Sequence, residues 1–148
     1  MHRYAHGGDV YGACRPVLDF SISLNPMGPP PQVLEAAQRA ISGWNRYPDP
    51  RCRELRRAAA RREGVLEEQL IFGNGASDLI DRLLRVVKPR KALLLAPTFS
   101  EYRRILEGLG GEIQEFSLEK ENYFTVRESF LTDIQPGVDL VFLCDPNN

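Results

Sequence analysis

Three short segments of the sequence hold residue types that chemistry uses, and each follows an apolar run. Gly73-Asn-Gly-Ala-Ser77 comes after Leu70-Ile-Phe72, and Pro97-Thr-Phe99 comes after Lys91-Ala-Leu-Leu-Leu-Ala96. Asp145-Pro-Asn-Asn148 comes after Asp139–Cys144. In the first segment, glycines let the backbone bend into a helix start. Exposed N–H groups and the positive helix end then cradle an anion, and Ser77 adds a hydroxyl. An ordinary helix start capped by Ser77 or Asn74 fits the same letters, and both readings stay open. The segment is neither a Walker loop nor G-x-G-x-x-G. Phe99 either projects over a bound heterocycle or packs in a core, and Tyr102 shares its helix face. Asn148 offers a donor and an acceptor, although an Asn-Asn pair also suits a plain turn. His2 and His6 lie in the N-terminal arm. His6-Gly7-Gly8 either presents an imidazole beside free backbone N–H groups or is a solvated tail. No Ser or Cys has a His convincingly beside it, and no His/Cys/Asp cluster has metal spacing.

The elements that position these segments follow from periodicity. Residues 1–30, rich in Gly and Pro, read as an extended arm with an apolar piece at 17–24. Val33, Leu34, Ala37, Ala40 and Ile41 predict an amphipathic helix over 31–42, started by Pro30 and Pro31 and ended by Gly43. Arg46-Tyr-Pro-Asp-Pro50 is a turn. A second helix spans 51–63, and residues 51–62 carry six arginines. With Glu54 and Glu63 nearby, this is read as a solvated face rather than a phosphate or nucleic-acid patch. Beyond it the chain alternates. Strands are expected at 70–72, 91–96, 112–118 and 139–144, and helices at 77–87, 99–109 and 126–134. This rhythm implies a parallel, doubly wound sheet with 91–96 covered on both faces. Ligands of such sheets bind outside the carboxyl ends of the strands, where all three segments fall.

Composition narrows the function further. The chain has 148 residues, 43% of them hydrophobic and 26% charged, with a net charge of −1. One domain of this length buries roughly 68–70% of the surface of its unfolded chain. The charge balance argues against nucleic acid as partner. No apolar run reaches a membrane span, so no membrane association is expected. Cys14, Cys52 and Cys144 are too far apart for a disulfide framework, which suits a reducing cytoplasm. The sequence stops just after a core-strand pattern, so a truncated protein is expected.

Taken in order, five motifs carry a resemblance: Asn25-Pro-Met-Gly28, Arg46-Tyr-Pro-Asp-Pro50, Gly73-Asn-Gly-Ala-Ser77, Ala96-Pro-Thr-Phe-Ser-Glu-Tyr102 and Asp145-Pro-Asn-Asn148. The chain resembles the N-terminal part of fold-type-I pyridoxal-phosphate enzymes of the histidinol-phosphate aminotransferase branch. Ala5-His-Gly-Gly8, Leu18-Asp-Phe-Ser21 and Phe99-Ser-Glu-Tyr-Arg103 make it most similar to the threonine-phosphate decarboxylases of that branch. The resemblance implies an α/β fold: an N-terminal arm and helix over 1–45 making dimer and substrate contacts, and part of the large cofactor-binding domain over 46–148. It implies pyridoxal 5'-phosphate as cofactor, held by Gly75, Ala76 and Ser77 at its phosphate, by Phe99 on its ring and by Asn148 at its phenolic oxygen. Tyr47 would reach the cofactor phosphate of the neighbouring subunit of a homodimer. His6, Gly7 and Ser23 would bind a small phosphorylated amino-acid substrate, although the decarboxylases carry Asn where this chain has Ser23. The implied reaction is decarboxylation of L-threonine O-3-phosphate to (R)-1-amino-2-propanol O-2-phosphate in cobalamin synthesis. A histidinol-phosphate or related aminotransferase is the alternative, and a non-catalytic binding module a further one. In the family, the cofactor-carrying Lys, the Asp facing the pyridine nitrogen and the Arg clamping the substrate carboxylate lie beyond residue 148. No catalytic residue is therefore assigned within this chain, and by itself it is expected to be inactive.

Overall fold

The computed structural model describes Val10, Gly12 and residues 14–147. Two compact units lie within residues 5–71 and 72–148.

In the first unit, α1 (Pro31–Ala40) begins behind Pro30 with Pro31 at its first position. Proline is pre-organised there, because the first helical N–H has no acceptor anyway. A 3-10 turn, Ile41–Gly43, ends the helical run. The Asp49 carboxylate accepts the N–H groups of Arg51 and Arg53 at 3.1 and 3.0 Å. These bonds hold Asp49 below its usual range, that from Arg53 most of all. They start α2 (Arg53–Glu63), which ends on Gly64 at φ 69°. The arginine-rich helix is mostly a solvated face, as expected, with Arg53, Arg57 and Arg62 in exposed ion pairs. Arg56 is different. It is half-buried, and its Nη1 donates to the carbonyls of Glu67, at 2.8 Å, and Leu70.

The second unit contains α3 (Ala76–Val87), β1 (Lys91–Ala96), α4 (Ser100–Gly108), β2 (Glu112–Ser117), α5 (Phe130–Asp133) and β3 (Leu140–Phe142). The strands form a parallel sheet in the order β2-β1-β3. Leu93 stands opposite both Gln114 and Val141. β1 is a continuous apolar run because both its faces are covered. On one face Ala92 and Leu94 pack with Leu84, Ile105 and Leu106 of α3 and α4. On the other, Leu93 and Leu95 pack with Phe130, supported by Phe116, Leu118, Val138 and Val141. At the start of the sheet, Asp139 accepts the N–H groups of Arg90 and Lys91 at 2.8 and 3.2 Å. The bond from Arg90, then that from Lys91, pulls its carboxyl below the usual range.

The strand expected at Leu70–Phe72 is not formed. Leu70 is extended, at φ −111° and ψ 137°, but its carbonyl accepts from Arg56 rather than from a ladder partner. Both edges of β1 are already taken by β2 and β3. The helix expected over 126–134 shrinks to Phe130–Asp133, and the strand at 139–144 to Leu140–Phe142.

Leu84 is wholly buried between α3, β1 and α4. Leu84→Ala in the full-length protein should cost about 2–5 kcal/mol, the range for a leucine truncated where neighbours cannot collapse. Urea unfolding checks this through the midpoint at unchanged slope. A loss under about 1 kcal/mol would mean that this layer relaxes freely.

Candidate functional site

Helices that link parallel strands run back against them, so their N-termini gather at the carboxyl ends of the strands. The packing shows this arrangement. Ile80, one turn before Leu84, and Tyr102, one turn before Leu106, both rest on the same core layer as Phe142 at the end of β3. The start of α3, the start of α4 and the segment after β3 are therefore at one end of the sheet.

The start of α3 is built around two glycines. A Cβ on Gly73 would sit 2.7 Å from Asp78 Oδ2 and from Leu79 Cδ2, so a larger residue there would displace those two side chains. The proximity is used at once, because Asn74 N–H donates to Asp78 Oδ2 at 2.8 Å. Gly75 is the N-cap residue at φ 82°, a conformation that disfavours any residue with a Cβ. Neither Asn74 nor Ser77 is the cap residue, so the ordinary-cap reading of this segment gives way. Gly75 has no side chain to close the helix end, and a Cβ there would meet nothing within 4 Å. The first-turn N–H groups, including those of Ala76 and Ser77, have no helical acceptor, and the helix dipole adds positive potential. Asp78 would oppose an anion here. Its charge is offset by Arg82, whose Nε and Nη2 donate to it, each at 2.9 Å. The arrangement can seat an anion.

The other two segments are tied together. Asn147 Nδ2 donates to the carbonyl of Pro97 at 2.8 Å. Thr98 Oγ1 donates to Asn147 Oδ1 at 3.4 Å. The turn after β3 is thus clamped to the turn after β1. A cleft of about 900 Å³ opens beside the clamp, lined by Pro97, Thr98, Asp145 and Asn147 and backed by Leu95 and Phe130. Gly75, Ala76, Ser77 and Phe99 are not among its lining residues. Phe99 is the N-cap residue of α4. Its half-buried ring meets Tyr102 edge to face, with centroids 5.5 Å apart. Tyr102 stacks on Phe142 at 4.4 Å. Burial, then a hydrogen bond with Cys144, pushes the Tyr102 phenol up to about 12. Its hydroxyl therefore keeps its proton at any working pH.

Among the expected site residues, Gly75, Ala76 and Ser77 at the start of α3 and Phe99 at the start of α4 lie at the same end of the second unit. Tyr47 and Ser23 belong to the first unit, where both are exposed. His6, Gly7 and Asn148 lie outside the described residues. Sequence reasoning missed Asp78 and Asn147 as organisers. Asp78 stands four residues after Asn74, which is a readable signal for a carboxylate reaching back to a loop N–H. Asn147 gave no signal beyond that of a turn. Among the described residues there is no group of His, Cys, Asp or Glu that could hold a metal, and no helix is long and apolar enough to cross a membrane.

Asn147→Ala in the full-length protein removes both clamp bonds. Each neutral hydrogen bond contributes about 0.5–1.5 kcal/mol, so stability should fall by about 1–3 kcal/mol. Amide exchange of the segment after β3 should quicken while that of β1 stays slow. Unchanged exchange after β3 would show that the clamp does not hold the turn.

Residues 15–148 match the family described as aminotransferase class I and II. The threonine-phosphate decarboxylase of Salmonella typhimurium is 34% identical over 97% of this chain and 42% of its own length. A histidinol-phosphate aminotransferase of Moorella thermoacetica is 34% identical over 89% of this chain and 34% of its own. The solved histidinol-phosphate aminotransferase of Sinorhizobium meliloti, in complex with pyridoxal-5'-phosphate, superposes with a TM-score of 0.73 at 24% identity, over 82% of this chain and 33% of that one. The chain thus spans less than half the length of each of these proteins. From this match over residues 15–148, the chain belongs to the class I and II aminotransferase family, whose members use pyridoxal phosphate.

Proposed function

We propose that the protein to which this chain belongs decarboxylates L-threonine O-3-phosphate, releasing carbon dioxide and (R)-1-amino-2-propanol O-2-phosphate, with pyridoxal 5'-phosphate as cofactor. The observation that carries the reading is that the open N-terminus of α3 and Phe99, at the start of α4, stand at the same end of a parallel sheet. Such a site suits a phosphate joined to a flat ring. The decarboxylase of Salmonella typhimurium supports the choice of reaction, since its similarity runs over nearly the whole chain. Ala5-His-Gly-Gly8, at the N-terminus, supports the same choice.

When bound, the cofactor supplies an electron sink for the pair left on Cα as carbon dioxide departs. This chain's residues seat and orient. Gly75 and Ala76 offer backbone N–H groups to the cofactor phosphate, and Ser77 adds its hydroxyl. Phe99 rests against the pyridine ring. Asn148 hydrogen-bonds the phenolic oxygen, and the Asn147 clamp fixes the turn that carries it. Tyr47 reaches the cofactor phosphate across a homodimer, since a two-fold interface places the same loop in both sites. His6, Gly7 and Ser23 hold the substrate phosphate. Anchoring that group far from the reacting carbon fixes the direction of the breaking bond, which converts binding into orientation.

An aminotransferase shares every one of these cofactor contacts, and the Moorella relative keeps that reading as the rival. The two part at the substrate. Full-length protein should release carbon dioxide from threonine phosphate without any oxo-acid co-substrate. His6→Ala should lower kcat/KM for threonine phosphate by roughly 10- to 150-fold, the equivalent of one charge-assisted hydrogen bond of about 1.5–3 kcal/mol. Cofactor affinity should not change. Amino transfer from histidinol phosphate to 2-oxoglutarate, with no carbon dioxide released from threonine phosphate, would overturn the decarboxylase reading.

A further inference from the structure

We propose that Tyr102 is a positioning residue whose ring, set between Phe99 and Phe142, fixes the plane that Phe99 presents to the cofactor. The inference rests on the placement of Phe99 against the cofactor ring given above.

Phe99 is held poorly by its own backbone. It is the N-cap residue of α4, at φ −56° and ψ 118°, outside the regular helix. An aromatic side chain there needs a neighbour to fix its rotamer. Residues three apart on a helix face one another, and Tyr102 is that neighbour, with the two rings at 85° and 5.5 Å between centroids. Edge-to-face packing of this kind has a preferred geometry, unlike simple apolar contact.

Tyr102 can orient another ring because its own ring is held from the other side. It lies on Phe142 with an interplanar angle of 23° and centroids 4.4 Å apart. Stacking of this kind sets the tilt of the Tyr102 ring. One side chain therefore connects the Phe99 start of α4 with the end of β3. The Asn147–Pro97 bond joins the same two segments independently. A side chain that merely fills the core would not need this pair of directional contacts.

The test is a double-mutant cycle in the full-length holoenzyme, using Phe99→Ala and Tyr102→Leu. The readouts are the pyridoxal 5'-phosphate dissociation constant and the visible circular dichroism of the bound cofactor. Phe99→Ala should raise the dissociation constant by roughly tenfold, from the loss of one aromatic stacking contact. Tyr102→Leu should raise it by roughly threefold or more and weaken the dichroic band. In the Phe99→Ala background Tyr102→Leu should change it by less than about twofold, because coupled residues are not additive. Tyr102→Phe keeps the ring and should restore both readouts to within about twofold of the parent. If Tyr102→Leu does not fold, Tyr102→Met takes its place in the cycle. Equal fold-changes in both backgrounds, or a folded Tyr102→Leu or Tyr102→Met variant with parental affinity and dichroism, would overturn the role of Tyr102 alone. Parental affinity in Phe99→Ala would instead remove Phe99 from the cofactor and the role of Tyr102 with it.

Discussion

Burial of β1 on both faces is the constraint from which the rest of the second unit follows. Ala92 and Leu94 cannot face water, nor can Leu93 and Leu95, so the strand must be covered twice. A parallel sheet meets that need with crossover segments laid on its faces. α3 and α4 cover one face, and the segment around Phe130 covers the other. Once α3 and α4 run antiparallel to β1, their N-termini can only meet at the carboxyl end of the sheet. The polar loop ends and positive helix ends collect there as a consequence of packing. The proposed site for an anionic, flat ligand would use an arrangement the core already demands.

The local electrostatics are consistent with that use. A carboxylate four residues beyond Asn74 organises the glycine loop, and it would repel an anion if left alone. Arg82 offsets it through two contacts of 2.9 Å, from Nε to Oδ1 and from Nη2 to Oδ2. Loop geometry and anion binding are thereby separated: Asp78 holds the backbone, Arg82 balances the charge, and the helix end keeps its positive potential. The clamp between Asn147 and Pro97 plays the corresponding part on the other side. It sets the distance between two turns that belong to different strands.

Much of this was legible in the sequence. The run Lys91-Ala-Leu-Leu-Leu-Ala96 read as a strand covered on both faces, and it is one. The amphipathic spacing of Leu79, Ile80, Leu83, Leu84 and Val87 placed α3 to within one residue at its start. What failed depended on partners rather than pattern. Leu70–Phe72 has strand letters, but a strand also requires ladder partners, and Arg56 claims the Leu70 carbonyl instead. The helix expected over 126–134 is mostly loop, since Phe130 satisfies the core with a single buried side chain. At the site, glycine spacing pointed to the bend before α3, which Gly75 makes at φ 82°. The clamp from Asn147 to Pro97 spans 50 residues, and no local pattern announces a contact of that range. The aromatic set of Phe99, Tyr102 and Phe142 divides the same way. The first two share a helix face by spacing, while the third arrives from another strand.

The central claim is that the open first turn of α3 seats the cofactor phosphate through backbone N–H groups. Ala76→Pro in the full-length protein tests it most directly. Proline is tolerated at the first helical position and deletes only the donor. The measurement is the affinity of the cofactor-free protein for pyridoxal 5'-phosphate and, separately, for unphosphorylated pyridoxal. Loss of one charge-assisted bond of about 1.5–3 kcal/mol should weaken the phosphorylated form by roughly 10- to 150-fold, leaving pyridoxal unchanged. Equal weakening of both, or of neither, would contradict a phosphate seat at Gly75, Ala76 and Ser77.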